Sequence, residues 1–307
     1  MSLGRSALLW ISENKKLRRS LPKYKFIRRA VTRFMPGEEL SDAIAAAKTL
    51  AGESINTIFT HLGENVASEE EAQAVKAHYV AMLKQIAAER IDAVVSLKLT
   101  QLGLDLGEDV CFANLRTIVA EADRRKNWVW IDMEQSQYVD RTLAIYRRIR
   151  SEFPRVGICL QSYLYRTQKD LEDLLPLKPA IRLVKGAYKE PPTVAFPRKA
   201  DVDTSYFALT KTMLEHAENG VTIGIGTHDT ALISRIQWEA QRLGLPRDRY
   251  EFQLLFGIKT EEQKKLAAEG YRIRSLISYG TYWFPWYVRR LAERPANVTF
   301  VLKNLIQ

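Results

Sequence analysis

The chain is predicted to fold as a (β/α)8 barrel, on three observations. Eight short β-rich runs alternate with amphipathic helical stretches, the signature of a parallel sheet. The runs are apolar on successive residues, as strands buried on both faces should be. A length of 307 residues suits one such barrel with a short extension. The absence of a glycine-rich dinucleotide fingerprint favours closure over an open, doubly wound sheet.

The first element in chain order is a basic, partly apolar helical arm over residues 1–37, which leaves 38–307 for the barrel. Of the net charge of +10, residues 1–35 carry +9, from ten Lys or Arg against the single acid Glu13. The body is therefore nearly neutral, which argues against a nucleic-acid partner. Ala7–Ile11 precede the basic cluster that begins at Lys15, and Phe26, Ile27, Val31 and Phe34 run through its second half. Apolar anchors mixed with cations suit an anionic membrane surface, at about 1 kcal/mol per basic residue. A basic helix packed on the barrel or on another subunit is the alternative. With no run of 18 apolar residues, no spanning segment is expected. Two cysteines, Cys111 and Cys159, and an N-terminus unlike a signal peptide lead to a reduced, cytoplasmic setting, with peripheral contact to the inner face of the cell membrane as the arm's role.

The predicted strands cover 55–59, 94–99, 128–133, 156–161, 181–185, 221–227, 251–256 and 272–277, and the helices between them 69–88, 110–124, 138–152, 204–219, 233–243 and 260–268. Ser68 before three glutamates marks a capped helix start, and Gly220 and Gly270 mark helix ends. Pro191, Pro192 and Pro197 predict an exposed loop after the fifth strand.

Active sites of such barrels form at the C-terminal strand ends. There the sequence places Ser96, Lys98, Thr100 and Gln101 after strand two, Asp132 and Glu134 after strand three, and Gln161 and Ser162 after strand four. Strand five carries Arg182 and Lys185, strand six Thr227, His228 and Asp229, and strand seven Gln253. Charged residues inside apolar strands are costly unless paired, so six polar ends in succession point to a ligand site. Lys98, Arg182 and Lys185 against Asp132 make it cationic. Arg289-Arg290, in an aromatic-rich helical stretch, add two planar forks suited to a carboxylate or phosphate. The four histidines are scattered without ligand spacing, so no metal is expected, and neither a nucleophile elbow nor a Walker loop appears.

Ser96-Leu-Lys-Leu-Thr-Gln-Leu-Gly103, Arg182-Leu-Val-Lys-Gly-Ala-Tyr188, Thr227-His228-Asp229 and Arg289-Arg-Leu-Ala-Glu293 resemble, in order, the motifs of bacterial monofunctional proline dehydrogenases. The likeness runs from about Glu38 to the C-terminus. It implies a distorted TIM-type barrel that binds FAD, with the last barrel helix over the active site. It also implies oxidation of L-proline to Δ1-pyrroline-5-carboxylate by hydride transfer to flavin N5, with electrons passed to a quinone. By the same resemblance Arg289, Arg290 and Lys98 would hold the substrate carboxylate, Asp132 would steady Lys98 or an arginine, and Arg182 would lie by N5. Met133, Gln161, Lys185, Gly186, Ala187, Thr227 and His228 would contact FAD.

One stretch departs from the family pattern. Where a Tyr-x-Pro-Tyr-Gly-like run is usual, this chain reads Leu276-Ile-Ser-Tyr-Gly280, so Leu276 replaces the tyrosine expected against the substrate. A smaller apolar residue would admit a hydroxylated or otherwise substituted cyclic amino acid. Two alternatives stand beside this reading. A Schiff-base aldolase would use Lys98 or Lys185 as nucleophile and would purify colourless. A basic membrane-binding scaffold would leave the polar strand ends without purpose.

Overall fold

A computed structural model describes residues 31–284 together with 287 and 288. A helix α1 (Leu40–Ala51) leads into β1 (Asn56–His61) and α2 (Glu69–Ala88), then β2 (Ala93–Leu97), α3 (Glu108–Arg124), β3 (Val129–Ile131) and α4 (Val139–Glu152). The chain continues through β4 (Val156–Gln161), α5 (Thr167–Leu174), β5 (Ala180–Val184), α6 (Lys199–Glu215), β6 (Thr222–Gly226) and α7 (Thr230–Arg242). It ends in β7 (Tyr250–Leu255), α8 (Thr260–Ala268) and β8 (Arg272–Tyr279). All eight strands are parallel and pair in chain order, and β8 closes the barrel by pairing with β1 over Asn56–Arg274 to His61–Tyr279.

Strand alternation divides the core in two. Phe59, Leu97, Ile131, Leu160 and Ile225 face outward and join Tyr79, Leu115 and Tyr146 of the helices in the main cluster. Ile58, Val94, Trp130 and Ala180 face inward as a separate lumenal layer, against which Leu276 packs. Trp130 fills the lumen because its neighbour in register is glycine: a Cβ on Gly157 would lie 2.4 Å from the indole ring. Below that layer, at the N-terminal end, Arg274 meets Glu251 at 3.0 Å and Asp92 at 2.7 Å, and Gln253 donates to Glu251 at 2.9 Å. The lower lumen is therefore closed by paired charges, and the opposite end is the mouth.

The predicted strands agree with the observed ones to within two residues at every end. The predicted helices recur, and the Ser68 hydroxyl accepts from the Glu71 amide at 3.3 Å as its cap. The stretch predicted as helical over 204–219 instead starts at Lys199 and stops at Glu215. A 3₁₀ turn Ala217–Asn219 follows, closed by Gly220 at φ 94°. Helices α1 and α5 are additional to those predicted. The proline-bearing loop is exposed but tied down, by a bridge between Leu164 and Ala195 and by the Phe196 amide donating to the Tyr163 carbonyl at 2.8 Å.

A third apolar cluster joins the two ends of the described range at the mouth. Val31, Phe34 and Met35 pack with the helical residues Trp283, Phe284, Tyr287 and Val288, and with Leu62, which follows β1. Trp283 Nε1 donates to Glu38 at 2.9 Å. Among the described residues no helix is long and apolar enough to cross a membrane.

Candidate active site

Within the described range Lys98, Asp132, Met133, Gln161, Lys185, Gly186, Ala187, Thr227 and His228 lie at or just past the mouth ends of their strands, whereas Arg182 is the third residue of β5 and Leu276 lies deeper, in the lumenal layer. Gln253, expected at the mouth on strand seven, instead turns to the lower lumen, where it donates to Glu251. Arg289 and Arg290 lie outside the described residues. Asp132 and Arg182, from β3 and β5, meet across the lumen: Arg182 Nη1 donates to Asp132 Oδ1 at 3.0 Å. Ser96 of β2 completes the unit, donating to Asp132 at 2.8 Å and accepting from Arg182 Nη2 at 3.0 Å. Arg182 is only 4% exposed, and its guanidinium lies 5.1 Å from the Trp130 ring centre. A charge so buried needs this pairing. Of the two cations open to Asp132 in the sequence, the arginine is the one it holds.

Lys98 is half-buried on the 3₁₀ turn Leu99–Leu102, whose N-cap it forms, and it pairs with no described carboxylate. The turn is fixed on three sides. Gln101 Nε2 donates to the His61 carbonyl at 3.0 Å, and Thr100 Oγ1 accepts from the Asn65 amide at 3.3 Å. The buried Glu134 accepts from the Thr100 amide at 3.2 Å and from its hydroxyl at 2.6 Å. Burial pushes the Glu134 carboxyl up to about 7, while the Thr100 hydroxyl and then the charge of Lys98 hold it down.

Lys185 does not join Asp132. Its Nζ lies between Asp203 of α6 at 2.5 Å and Asp229 at 3.0 Å, and Lys199 approaches the same two acids. Burial alone would raise the Asp229 carboxyl, but the Lys185 hydrogen bond and charge bring it down to about 2. Asp229 also caps α7 by accepting from the Leu232 amide, which fixes the acid against β6. Nearby, Thr227 Oγ1 accepts from the Asp229 amide at 3.2 Å, and His228 Nε2 accepts from the Leu255 amide at 2.9 Å. Gly186 adopts φ 110° with the Tyr163 ring against it, where a Cβ would sit 2.2 Å from the ring. Ala187 follows it, half-buried.

Gln161 donates to the Met133 carbonyl at 3.3 Å, but its Oε1 has no partner among the described residues, and neither does Arg182 Nε. Buried polar atoms are nearly always satisfied, so two orphans at adjoining strand ends are places for a ligand. Leu276 lies level with Ile58 and is half-buried in the lumenal layer.

Sequence reasoning missed several partners. Asp203 gave no signal until the fold set the start of α6 beside the end of β5. The scattered histidines are not all apart: the His61 and His78 ring centres lie 4.2 Å apart with the planes tilted by 36°, and His78 Nε2 lies 2.6 Å from the Tyr279 hydroxyl. Burial, and then the His78 charge, lower His61 to about 4. Among the described residues no cluster of His, Cys, Asp and Glu is arranged to hold a metal ion.

A closed (β/α)8 barrel whose mouth pairs Arg182 with Asp132 and leaves the half-buried Lys98 without a described carboxylate has the layout of a barrel enzyme. Within that class, the family model for proline dehydrogenase matches residues 43–303, and the chain belongs to the proline dehydrogenase family, oxidoreductases of proline catabolism. It is 39% identical over 303 residues to proline dehydrogenase 1 of Bacillus subtilis, covering 99% of both chains. It is 37% identical over 310 residues to the proline dehydrogenase of Deinococcus radiodurans, covering 99% of this chain and 98% of that one. Among solved structures, proline utilization A from Bdellovibrio bacteriovorus superposes with a TM-score of 0.83 at 24% identity, over 95% of this chain and 36% of that one, a likeness of fold.

Proposed function

We propose that the chain oxidises L-proline to Δ1-pyrroline-5-carboxylate with FAD as the immediate acceptor and a quinone as the next. The observation that carries this reading is the Ser96–Asp132–Arg182 unit in the mouth, beside the unsatisfied atoms of Arg182 and Gln161. Those residues fit a flavin, which when bound supplies the hydride acceptor. Gln161 Oε1 and Arg182 Nε offer one acceptor and one donor to a polar ring edge. Gly186, at φ 110° with the Tyr163 ring where a Cβ would go, presents bare backbone there, and Met133, Ala187, Thr227 and His228 would line the cofactor's site with it. Lys185 belongs with the cofactor's polar chain. Its engagement by two carboxylates is unlike the apolar surroundings that activate a Schiff-base lysine, which counts against the aldolase alternative.

On the substrate side, Lys98 with Arg289 and Arg290 holds the carboxylate, and Asp132 keeps Arg182 paired and in place. Orientation of the ring by this clamp supplies much of the rate. Loss of one clamp cation leaves the substrate carboxylate under-paired, which is expected to cost roughly 2–5 kcal/mol in kcat/KM. Leu276 supports a second substrate class, hydroxylated or otherwise substituted rings, because its half-buried apolar side chain is on the lumenal wall.

The purified protein is expected to show flavin bands that bleach on anaerobic addition of L-proline. Bands that resist L-proline but bleach with hydroxyproline would transfer the reading to the second class. A colourless protein that takes up no FAD would overturn both.

A further inference from the structure

The loops after β1, β2 and β3 meet at one carboxylate that the clamp does not use. Glu134 is 2% exposed and accepts both the amide and the hydroxyl of Thr100. Thr100 in turn accepts the Asn65 amide through its hydroxyl and the Val66 amide through its carbonyl. Asn65 Nδ2 continues to Asp105 at 2.9 Å and to the Tyr138 hydroxyl at 3.1 Å. Glu134 is thus the buried post on which the Lys98 turn is mounted, where a neutral glutamine or threonine would have met the hydrogen-bonding need.

We propose that Glu134 is a positioning residue for substrate binding: it fixes the turn that carries Lys98, and its charge state sets how strongly that lysine attracts a carboxylate. This deepens the proposed function and rests on its placing of Lys98 at the substrate carboxylate.

The charged surroundings give the direction. Lys98 at the end of β2 holds the Glu134 carboxyl down, and Glu64 from the loop after β1 raises it. From α3, Cys111 faces it: burial, and next the Glu134 charge, push that thiol up, to about 12. Arg141, Glu108 and Asp105 act on the same thiol. Burial dominates and leaves Glu134 titrating at about 7. Below that pH a neutral Glu134 leaves the field of Lys98 uncancelled. Above it, an ionised Glu134 offsets that field and repels an incoming anion. By reciprocity a bound carboxylate raises Glu134 in turn, so binding near neutrality takes up a proton.

The test is calorimetric titration of the purified full-length protein with cyclopentanecarboxylate, an unreactive ring carboxylate, from about pH 5.5 to 9. Two buffers of different ionisation heat separate the proton uptake. The dissociation constant is expected to rise about five-fold or more through neutral pH, with proton uptake across the same range. Glu134→Gln keeps an acceptor for Thr100 and should bind tightly at all pH values with no uptake. Thr100→Val removes the donor that favours the carboxylate form and should move the limb to higher pH. A Glu134→Gln profile that keeps the parent's slope and uptake overturns the proposal. A parent that fails to bind the ring carboxylate at any pH overturns the clamp reading and this inference together.

Discussion

Removing one member of the Asp132–Arg182 pair strands the other. Arg182 is 4% exposed and loses its countercharge among the described residues if Asp132 becomes Asn. Breaking a buried pair costs roughly 3–5 kcal/mol, and the 20% exposure of Asp132 places this one at the low end. The Asp132→Asn variant should therefore unfold at lower denaturant and lose most turnover, whereas Arg182→Lys should retain more stability than activity, since a lysine lacks the second guanidinium arm. Glu134 works in the opposite sense. Its carboxyl titrates at about 7 in the fold against 4.5 ordinarily, so the native state binds the extra proton between those values and stability falls as pH rises through them. The penalty is fully present above pH 7 and is on the order of 3 kcal/mol. Glu134→Gln should raise the melting temperature at pH 8 and leave it nearly unchanged at pH 5. Equal melting shifts at both pH values would show that burial does not penalise this carboxylate.

At the scale of elements, two glycines hold conformations that other residues resist. Gly186, at φ 110°, has the Tyr163 ring where a Cβ would go. Gly186→Ala should lower the flavin absorbance per protein while leaving far-ultraviolet circular dichroism unchanged, because the strain sits at the cofactor wall rather than in the barrel. Gly257 follows β7 at φ 71°, and a Cβ there would lie 1.6 Å from the Arg33 carbonyl. Gly257→Ala should push residues 33–35 off the mouth, and limited proteolysis would detect their release. The resemblance marks Gly186 as a cofactor contact, but its fit against Tyr163, like the whole of Gly257's role, was not legible in the sequence, because each depends on contact with a distant segment. What was legible came from local pattern. The apolar runs set the strands, and the polar residues ending them set the mouth, since both follow from which side of a strand is buried. Helix α5 escaped notice because it is eight residues long, and Asp203 because nothing local ties it to Lys185. Leu276 was assigned by resemblance, and only pairing with Ile58 established that it faces the lumen.

Across the whole molecule, charge and apolar surface are separated along the chain. Nine-tenths of the net charge of +10 is carried by the first 35 residues, while the barrel that follows is close to neutral. The far end of that segment is not a loose appendage: Val31, Phe34 and Met35 pack against Trp283, Phe284 and Tyr287, residues that directly precede Arg289-Arg290 in the sequence. A quinone acceptor would be met at a lipid surface, and a basic segment rooted beside the mouth would bring the barrel to it. With about 1 kcal/mol per basic residue near anionic lipid, several such contacts outweigh the entropy lost on docking, and salt should weaken them. A chain lacking residues 1–30 keeps Val31 to Met35 and should therefore bleach with substrate as the parent does. It should no longer sediment with anionic vesicles, and its turnover with a lipid-embedded quinone should fall while turnover with a water-soluble acceptor is retained. The parent should leave the same vesicles as salt rises. Cosedimentation of the shortened chain at the parent's level would assign the membrane contact to the barrel surface instead.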